Sequence, residues 1–309
     1  MIDMTMSFRN PFIITLLLIS SLLSACASPP PKVEKSYWKQ AAEAQMQSGL
    51  QYYQRQQFRQ ALNQFADALA SYQRYNDIAG ELNSRINLAK TSIALHQLDA
   101  AQAQIDTARE LIERHGMADK RVYLDIMDSS IAIQNFSLKR AAGILDQYGD
   151  DASLPLQLQA ALLTNKLRLA FAKQADAKPL LQAFESAVAT QSAYQPRLWR
   201  FQAQQADIDK DFKRSDVLYG QALDTYRQQA SSTGVMVTLR EWGESMTLRG
   251  DWPAARIKFE DLYKTAKSVR LQYWVVESLE SLVLVYRKLG DWDRVEWAKG
   301  EIEVLTRDN

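Results

Sequence analysis

Apolar residues are distributed in two different ways along the 309-residue chain. From Pro11 to Ala25 they follow one another with only Thr and Ser between them. Farther on they alternate with Gln, Glu, Lys and Arg, as in LREWGESMTLR (239–249) and LESLVLVYRKL (279–289). Alternating β-branched runs joined by two-residue turns, which are typical of strands, are scarce. Gly and Pro are few, at 11 and 8, and good helix formers abound, so the pattern predicts an all-α protein.

Two copies of the tripeptide Gly-Asp-Trp, at 250–252 and 290–292, mark predicted helix boundaries. Each copy follows an apolar segment and precedes another one. Gly is favoured where a helix ends and Asp where a helix begins, and Pro253 fits the first turn of the next helix. The tripeptides therefore predict two helix–turn–helix units that lie 40 residues apart.

A related unit is predicted at residues 48–69, where the sequence SGLQYYQRQQFRQALNQFADAL places Gly49, Tyr52, Ala61, Phe65 and Ala68. This spacing of small and aromatic residues resembles the tetratricopeptide repeat. Positions equivalent to Ala61 recur every 35 to 40 residues, at Ala101, Ala141, Leu180, Ser215, Ala255 and Val295. The resemblance implies a right-handed α-solenoid of about seven helix–turn–helix units over residues 36–309, with a concave surface. Plain hairpins in the degenerate third and fourth units, or a non-repeat bundle with Ala-rich helices, are the alternatives.

The single cysteine, Cys26, directly follows the apolar run. That run is shorter than the roughly 20 residues of a membrane-spanning helix. A basic residue (Arg9), a short apolar segment and small residues at its end are typical of a secretory signal peptide. We therefore predict a cleaved signal peptide over residues 1–25.

Residues 23–26, Leu-Ser-Ala-Cys, resemble the lipobox of bacterial lipoproteins. The resemblance implies a diacylglycerol on the thiol of Cys26 and acylation of the amine that cleavage creates. Residues 26–35 then form a Pro-containing tether. Ala27 in place of Asp favours, by analogy, the outer membrane and its periplasmic face. The alternative is an ordinary apolar segment followed by an unrelated cysteine.

The charged residues argue against several function classes. Lys and Arg number 37, Asp and Glu number 36, and the net charge is +1, so we expect no nucleic-acid partner, because such proteins show a basic face. His96 and His115 are too few for a His-rich metal site, and HExxH, paired Cys, GxSxG and glycine-rich phosphate motifs are missing. We expect no enzymatic activity, no metal and no cofactor, and interpret both histidines as capping or exposed residues.

By the resemblance, ligands lie on the concave face that the first helix of each unit lines. Its first half is predicted to be apolar, with the candidate partner-binding residues Met46, Leu50 and Tyr53. Its second half is predicted to be charged, with the candidates Arg197, Arg200, Arg240 and Glu244. The arginines can hold a carboxylate or an acidic segment bidentately. Alternatively, Arg240 pairs with Glu277 or Glu280 on the neighbouring helix.

Seven tryptophans, five of them between Trp242 and Trp297, are interpreted as packing between units, or else as a partner site. The last unit has no obvious capping helix, which allows self-association. These features predict a lipid-anchored periplasmic scaffold for protein or peptide partners in envelope assembly, secretion or pilus biogenesis. An envelope receptor for a peptide or small ligand in the charged half is the alternative. An enzyme with an unrecognised carboxylate pair is a third hypothesis.

Overall fold

The computed structural model describes residues 37–149 and 153–307. The described residues from Trp38 onward belong to one compact unit. The predicted signal peptide, Cys26 and the predicted tether lie outside the described residues, so these three remain predictions.

The described residues contain fourteen α-helices and no strand. In chain order the helices are α1 (Tyr37–Gln54), α2 (Phe58–Tyr75), α3 (Ile78–Ala94), α4 (Leu98–His115), α5 (Arg121–Gln134), α6 (Leu138–Leu145), α7 (Leu156–Ala172), α8 (Lys178–Val188), α9 (Gln195–Ile208), α10 (Phe212–Gln228), α11 (Ser232–Leu248), α12 (Trp252–Ser268), α13 (Gln272–Leu289) and α14 (Trp292–Arg307). Short 3₁₀ turns at Ala118–Lys120 and Ser192–Tyr194 precede α5 and α9. In the described residues, consecutive helices pack against one another as seven hairpins, α1–α2 to α13–α14. The prediction of an all-α solenoid is confirmed.

One backbone conformation closes all seven hairpins. Just after each first helix, one residue has a positive φ between 53° and 77°, and these residues are Gln56, His96, Phe136, Gln174, Lys210, Gly250 and Gly290. The N–H of the following residue donates to the carbonyl oxygen five positions earlier, as Asp251 does to Met246 at 2.9 Å. This is a Schellman-type helix end. Because it recurs every 36 to 40 residues, the third and fourth units are copies of the same hairpin.

Small or branched residues early in the second helices are fully buried: Ala61, Ala101, Ala141, Ser215, Ala255 and Val295. In the fourth hairpin the expected residue, Leu180, is only partly buried. There Ala177 is fully buried instead, and the buried residues that follow are Leu181, Phe184 and Val188. The predicted register was wrong by three residues in this hairpin. Pro179 is tolerated only in a first helical turn, so α8 begins late, at Lys178.

Glycine–aromatic contacts repeat in the first and sixth hairpins. A Cβ on Gly49 would lie 2.6 Å from the ring of Phe65, and one on Gly243 would lie 2.7 Å from the ring of Phe259. Such distances are too short for any Cβ, so only glycine lets the two helices of these hairpins approach this closely. In both hairpins the glycine and the aromatic residue that it contacts are 16 positions apart. The packing of the two helices is therefore repeated, and not only the turn between them.

Candidate partner-binding surface

Four first helices contribute side chains to one charged group, here named the arginine–glutamate cluster. Its members are Arg168 of α7, Arg197 and Arg200 of α9, Arg240, Glu241 and Glu244 of α11, and Glu277 of α13. They are close enough for each to shift the pKa of another member. The structure thus brings together the four charged candidates named from the sequence, and it adds Arg168 and Glu241, which sequence reasoning missed.

Arg168 reaches the cluster because of how α7 packs. On either side of it the helix buries leucines, among them Leu163, Leu167 and Leu169. Thr164 and Arg168, one turn apart on the same strip, are only partly buried. The sequence signal for the position of Arg168 was its spacing from Thr164, because these are polar residues four positions apart within a leucine-rich helix.

Arg200 is 8% exposed and paired with a glutamate inside the fold. Its Nε donates to Glu241 Oε2 at 2.8 Å, and its Nη2 donates to the other carboxylate oxygen at 2.5 Å. Burial by itself lowers the pKa of Arg200, but the charge of Glu241 and the hydrogen bonds to it raise that pKa overall. This bidentate pair joins α9 to α11 and leaves Arg200 little capacity for a ligand.

Arg240 pairs with the next first helix, as the structural alternative predicted. Its Nη1 donates to Glu277 Oε1 at 3.2 Å, its Nε lies 3.8 Å from Glu244 Oε1, and its guanidinium lies 5.6 Å from the ring centroid of Trp274. Burial lowers the pKa of Arg240, yet the neighbouring carboxylates raise it overall. The Arg240–Glu277 ion pair is therefore confirmed as a link between α11 and α13.

Arg168 and Arg197 differ from these two arginines. Arg168 Nη1 donates to Ser130 Oγ at 3.0 Å, and Arg197 Nη1 donates to Thr164 Oγ1 at 3.5 Å. In the part of the chain that the structure describes, no carboxylate lies within ion-pair distance of either one. Burial lowers the pKa of Arg168 to about 10, and the charges of the other three arginines add to this effect.

Water reaches the cluster although protein surrounds it. The side chain of Glu244 is 54% exposed. Its pKa is nevertheless raised, first by burial and then by Glu241 and Glu277, while Arg240 opposes the rise. Two cluster atoms, Arg240 Nε and Glu277 Oε2, are buried without a hydrogen-bond partner. The cluster is thus exposed at Glu244, whereas these two unsatisfied atoms lie beneath its surface.

The candidates of the first half lie apart from this cluster, and no hydrogen bond or ion pair among the described residues joins the two groups. Met46 packs into the core of the first hairpin and Leu50 is 41% exposed. Tyr53 packs edge-on against Phe58, with 5.3 Å between ring centroids, and burial raises the pKa of Tyr53 to about 12. Lys90 Nζ lies 4.5 Å from the centre of the same ring, so this half is apolar with one cation beside it.

Contacts between distant hairpins form a feature that the sequence did not reveal. The imidazole of His96 stacks on Tyr273, with 3.4 Å between centroids and 13° between planes. Gln56 Oε1 accepts a hydrogen bond from the backbone N–H of Thr233 at 2.8 Å, and Gln56 Nε2 donates to the carbonyl of Ala230 at 3.3 Å. The first two hairpin turns therefore touch the starts of α11 and α13. A cavity of about 410 Å³ lies beside the His96–Tyr273 contact, and its lining includes Leu95, Gln97 and Tyr273.

The tryptophans differ in their surroundings, and the packing role expected from the sequence is seen for Trp242. Trp242 stacks on Tyr219 and donates from Nε1 to Asp216 Oδ1 at 2.7 Å. In contrast, Trp292 is 63% exposed and Trp297 is 42% exposed, both on the last helix. Trp297 also packs edge-on against Tyr263, with 5.6 Å between ring centroids, so Trp292 is the more exposed of the two, and a partner site at these side chains remains a prediction.

Comparisons with known proteins add little to this description. No protein-family model matches the chain, and no curated protein matches it either. Within the described residues, none of the helices has the length and apolar character required to cross a bilayer. Among solved structures, the crystal structure of BtubC (BKLC) from P. vanneervenii is similar at 13% sequence identity and a TM-score of 0.45, over 74% of this chain and 91% of that one.

Proposed function

We propose that this protein is a non-enzymatic scaffold of tetratricopeptide-like repeats that binds protein partners. The observation that carries the proposal is the sevenfold repeat of one hairpin. Stacked hairpins bury one face against their neighbours and leave an extended surface of first helices for binding. The Gly49–Phe65 and Gly243–Phe259 contacts support the tetratricopeptide assignment, because they occupy positions on which the resemblance rests.

The scaffold is anchored, in this proposal, by lipid on Cys26. The support is the sequence Leu-Ser-Ala-Cys at residues 23–26 behind an apolar run. Acyl chains on both the thiol and the amine would hold the protein stably, since two chains anchor far better than one. We place it on the periplasmic face of the outer membrane, where it would hold partners in envelope assembly, secretion or pilus biogenesis.

A second candidate function is an envelope receptor for a peptide or a small ligand. It is favoured by Arg168 and Arg197, because Arg168 donates to a hydroxyl group and Arg197 contacts a hydroxyl group and the ring of Tyr194, at 5.5 Å from its centroid. Neither forms an ion pair with a carboxylate among the described residues. The two candidates differ in the size of what they bind, because a scaffold holds a folded partner over many repeats.

The test is to express the full chain and its Cys26→Ser variant in a Gram-negative host. The envelope is fractionated, and the proteins that crosslink to each form are identified. We expect the wild-type chain in the outer membrane with a defined protein partner, and the variant released from the membrane.

Two results would contradict parts of the proposal separately. If both forms are released from the membrane, the lipid anchor is wrong. If the wild-type chain crosslinks to no protein, the scaffold function is wrong, and the receptor becomes the better description.

A further inference from the structure

Among the residues that the structure describes, Arg168 and Arg197 are the two arginines of the arginine–glutamate cluster without a carboxylate at ion-pair distance, whereas Arg200 and Arg240 each hold a glutamate. We propose that Arg168 and Arg197 bind a carboxylate of an acidic peptide segment that belongs to a protein partner. This inference rests on the scaffold function proposed above, and it specifies the chemistry of the segment that the scaffold recognises.

Both guanidinium groups have donors to spare. A guanidinium carries five N–H donors. At Arg168 one nitrogen donates to Ser130, and at Arg197 one donates to Thr164, which lies one turn before Arg168 on α7. The charge of Arg197 reaches Arg168, so the two groups are neighbours. Their remaining donors suit the two oxygens of a carboxylate, which arginine holds as a fork.

The surroundings of Arg168 favour an added negative charge. Burial disfavours its positive charge, and Arg240, Arg200 and Arg197 repel it, while Glu241 offsets this only in part. A carboxylate bound beside Arg168 would relieve that repulsion, because the attraction of opposite charges is stronger in a site surrounded by protein than in bulk water.

The composition of the cluster selects a carboxylate over a polyanion. Four arginines lie with three glutamates, Glu241, Glu244 and Glu277. One carboxylate balances the excess of one positive charge, whereas a phosphate dianion or a nucleic-acid backbone would be repelled by the glutamates. The net charge of +1 for the whole chain agrees, since polyanion-binding surfaces are strongly basic.

The segment can reach the site from solvent. The exposed side chain of Glu244 shows that the cluster is open to water. The side chains of Arg168 and Arg197 are themselves only partly buried, so a bound segment can contact both guanidinium groups.

The experiment measures binding of a fluorescein-labelled peptide, GSEGSEGSG, to the full chain by fluorescence anisotropy. The matched peptide has Gln in place of each Glu, and inorganic phosphate serves as a competitor. The variants are Arg168→Gln, Arg197→Gln and, as the control, Arg227→Gln, which changes a half-exposed arginine on α10. We expect each cluster variant to bind about tenfold more weakly or worse, the loss typical of one charge-assisted hydrogen bond, and the control to bind as the wild type does.

Several outcomes would overturn the inference. Three of these are no binding of the glutamate peptide to the wild-type chain, equal binding of the glutamine peptide, and unchanged binding by Arg168→Gln. The fourth is displacement of the labelled peptide by inorganic phosphate at concentrations lower than those at which the peptide itself binds. The scaffold function is judged apart from this, by crosslinking in the envelope. A partner that crosslinks equally to the wild type and to Arg168→Gln leaves the scaffold standing and removes only the acidic segment.

Discussion

Two groups of charges between helices are built in opposite ways. In the third hairpin, Asp125 and Asp128 of α5 are buried, at 4% and 3% exposure. Arg109 Nη2 donates to both carboxylates, at 3.1 and 3.0 Å, Arg140 donates to Asp128 at 2.6 Å, and the Tyr148 hydroxyl donates to Asp125 at 2.6 Å. We name this group the aspartate network. Each of its carboxylates is satisfied by groups of the same fold.

The arginine–glutamate cluster is satisfied only in part. Arg200 pairs with Glu241 much as Arg109 pairs with the aspartates. Arg168 instead donates to a hydroxyl group and lies near other arginines. A buried charge without a partner is costly to a fold. The difference indicates that the aspartate network serves stability, whereas the open part of the cluster is available for binding.

The largest expected effect comes from breaking the aspartate network. Asp128→Ala should lower the free energy of unfolding by about 3 kcal/mol, because it removes the buried carboxylate of Arg140 and leaves Arg109 with Asp125 alone. The measurement is urea unfolding followed by circular dichroism. Asp106→Ala is the control, since Asp106 is 58% exposed and only 3.8 Å from Arg109, and it should change stability by less than about 0.5 kcal/mol. Equal effects of the two substitutions would contradict the stabilising role of the network.

A smaller loss is expected within the cluster itself, where Arg200→Gln should destabilise the protein by about 2 kcal/mol, because it leaves Glu241 part-buried without its bidentate partner. The double variant with Glu241→Gln should regain part of this loss, as double-mutant cycles show for directly coupled pairs. The same urea unfolding measures both. Strict additivity of the two single substitutions would show that the pair does not act as a unit.

The sequence predicted those features that depend on neighbouring residues. Gly250 and Gly290 end helices in the left-handed conformation, and Asp251 caps the next helix with its carboxylate, as the Gly-Asp-Trp tripeptides predicted. These are local signals of helix ends, so the hairpins and the all-α class followed from them. The small residues at a spacing of 40 indicated where each pair of helices meets.

Several features could not be predicted, because no local signal specifies them. Five of the seven left-handed turn residues are not glycine, among them Phe136 and Lys210. These turns are held by backbone hydrogen bonds, which leave no mark on the side chains. Likewise, the stacking of His96 on Tyr273 joins residues far apart along the chain. The environment of Arg168 comes from α9 and α11, so its importance was invisible in α7 alone.

A pH-dependent effect, at most about 1 kcal/mol, is expected at His96, which faces Gln134, Tyr273, Glu277 and Arg240. Burial is the main cause of its lowered pKa. The unfolded chain therefore binds the proton first, and stability is lost as the pH falls below about 6.5. His96→Asn keeps a residue that tolerates the left-handed turn and should remove this loss between pH 7.5 and 5. Identical urea midpoints for both proteins at each pH would contradict the assignment.

The smallest change in the free energy of unfolding is expected for Arg168→Gln. This variant is the sharpest test of the difference between the aspartate network and the arginine–glutamate cluster. Arg168→Gln removes a partly buried cation, whereas Arg200→Gln removes a buried one. The first substitution should leave the free energy of unfolding within about 0.5 kcal/mol of the wild type or raise it slightly. The reason is that the lost hydrogen bond to Ser130 is offset by the end of repulsion from three arginines. Urea unfolding at low and high salt distinguishes the two terms, because salt screens only the repulsion. A loss as large as that of Arg200→Gln would show that Arg168 is a structural residue and that both groups of charges serve stability alone.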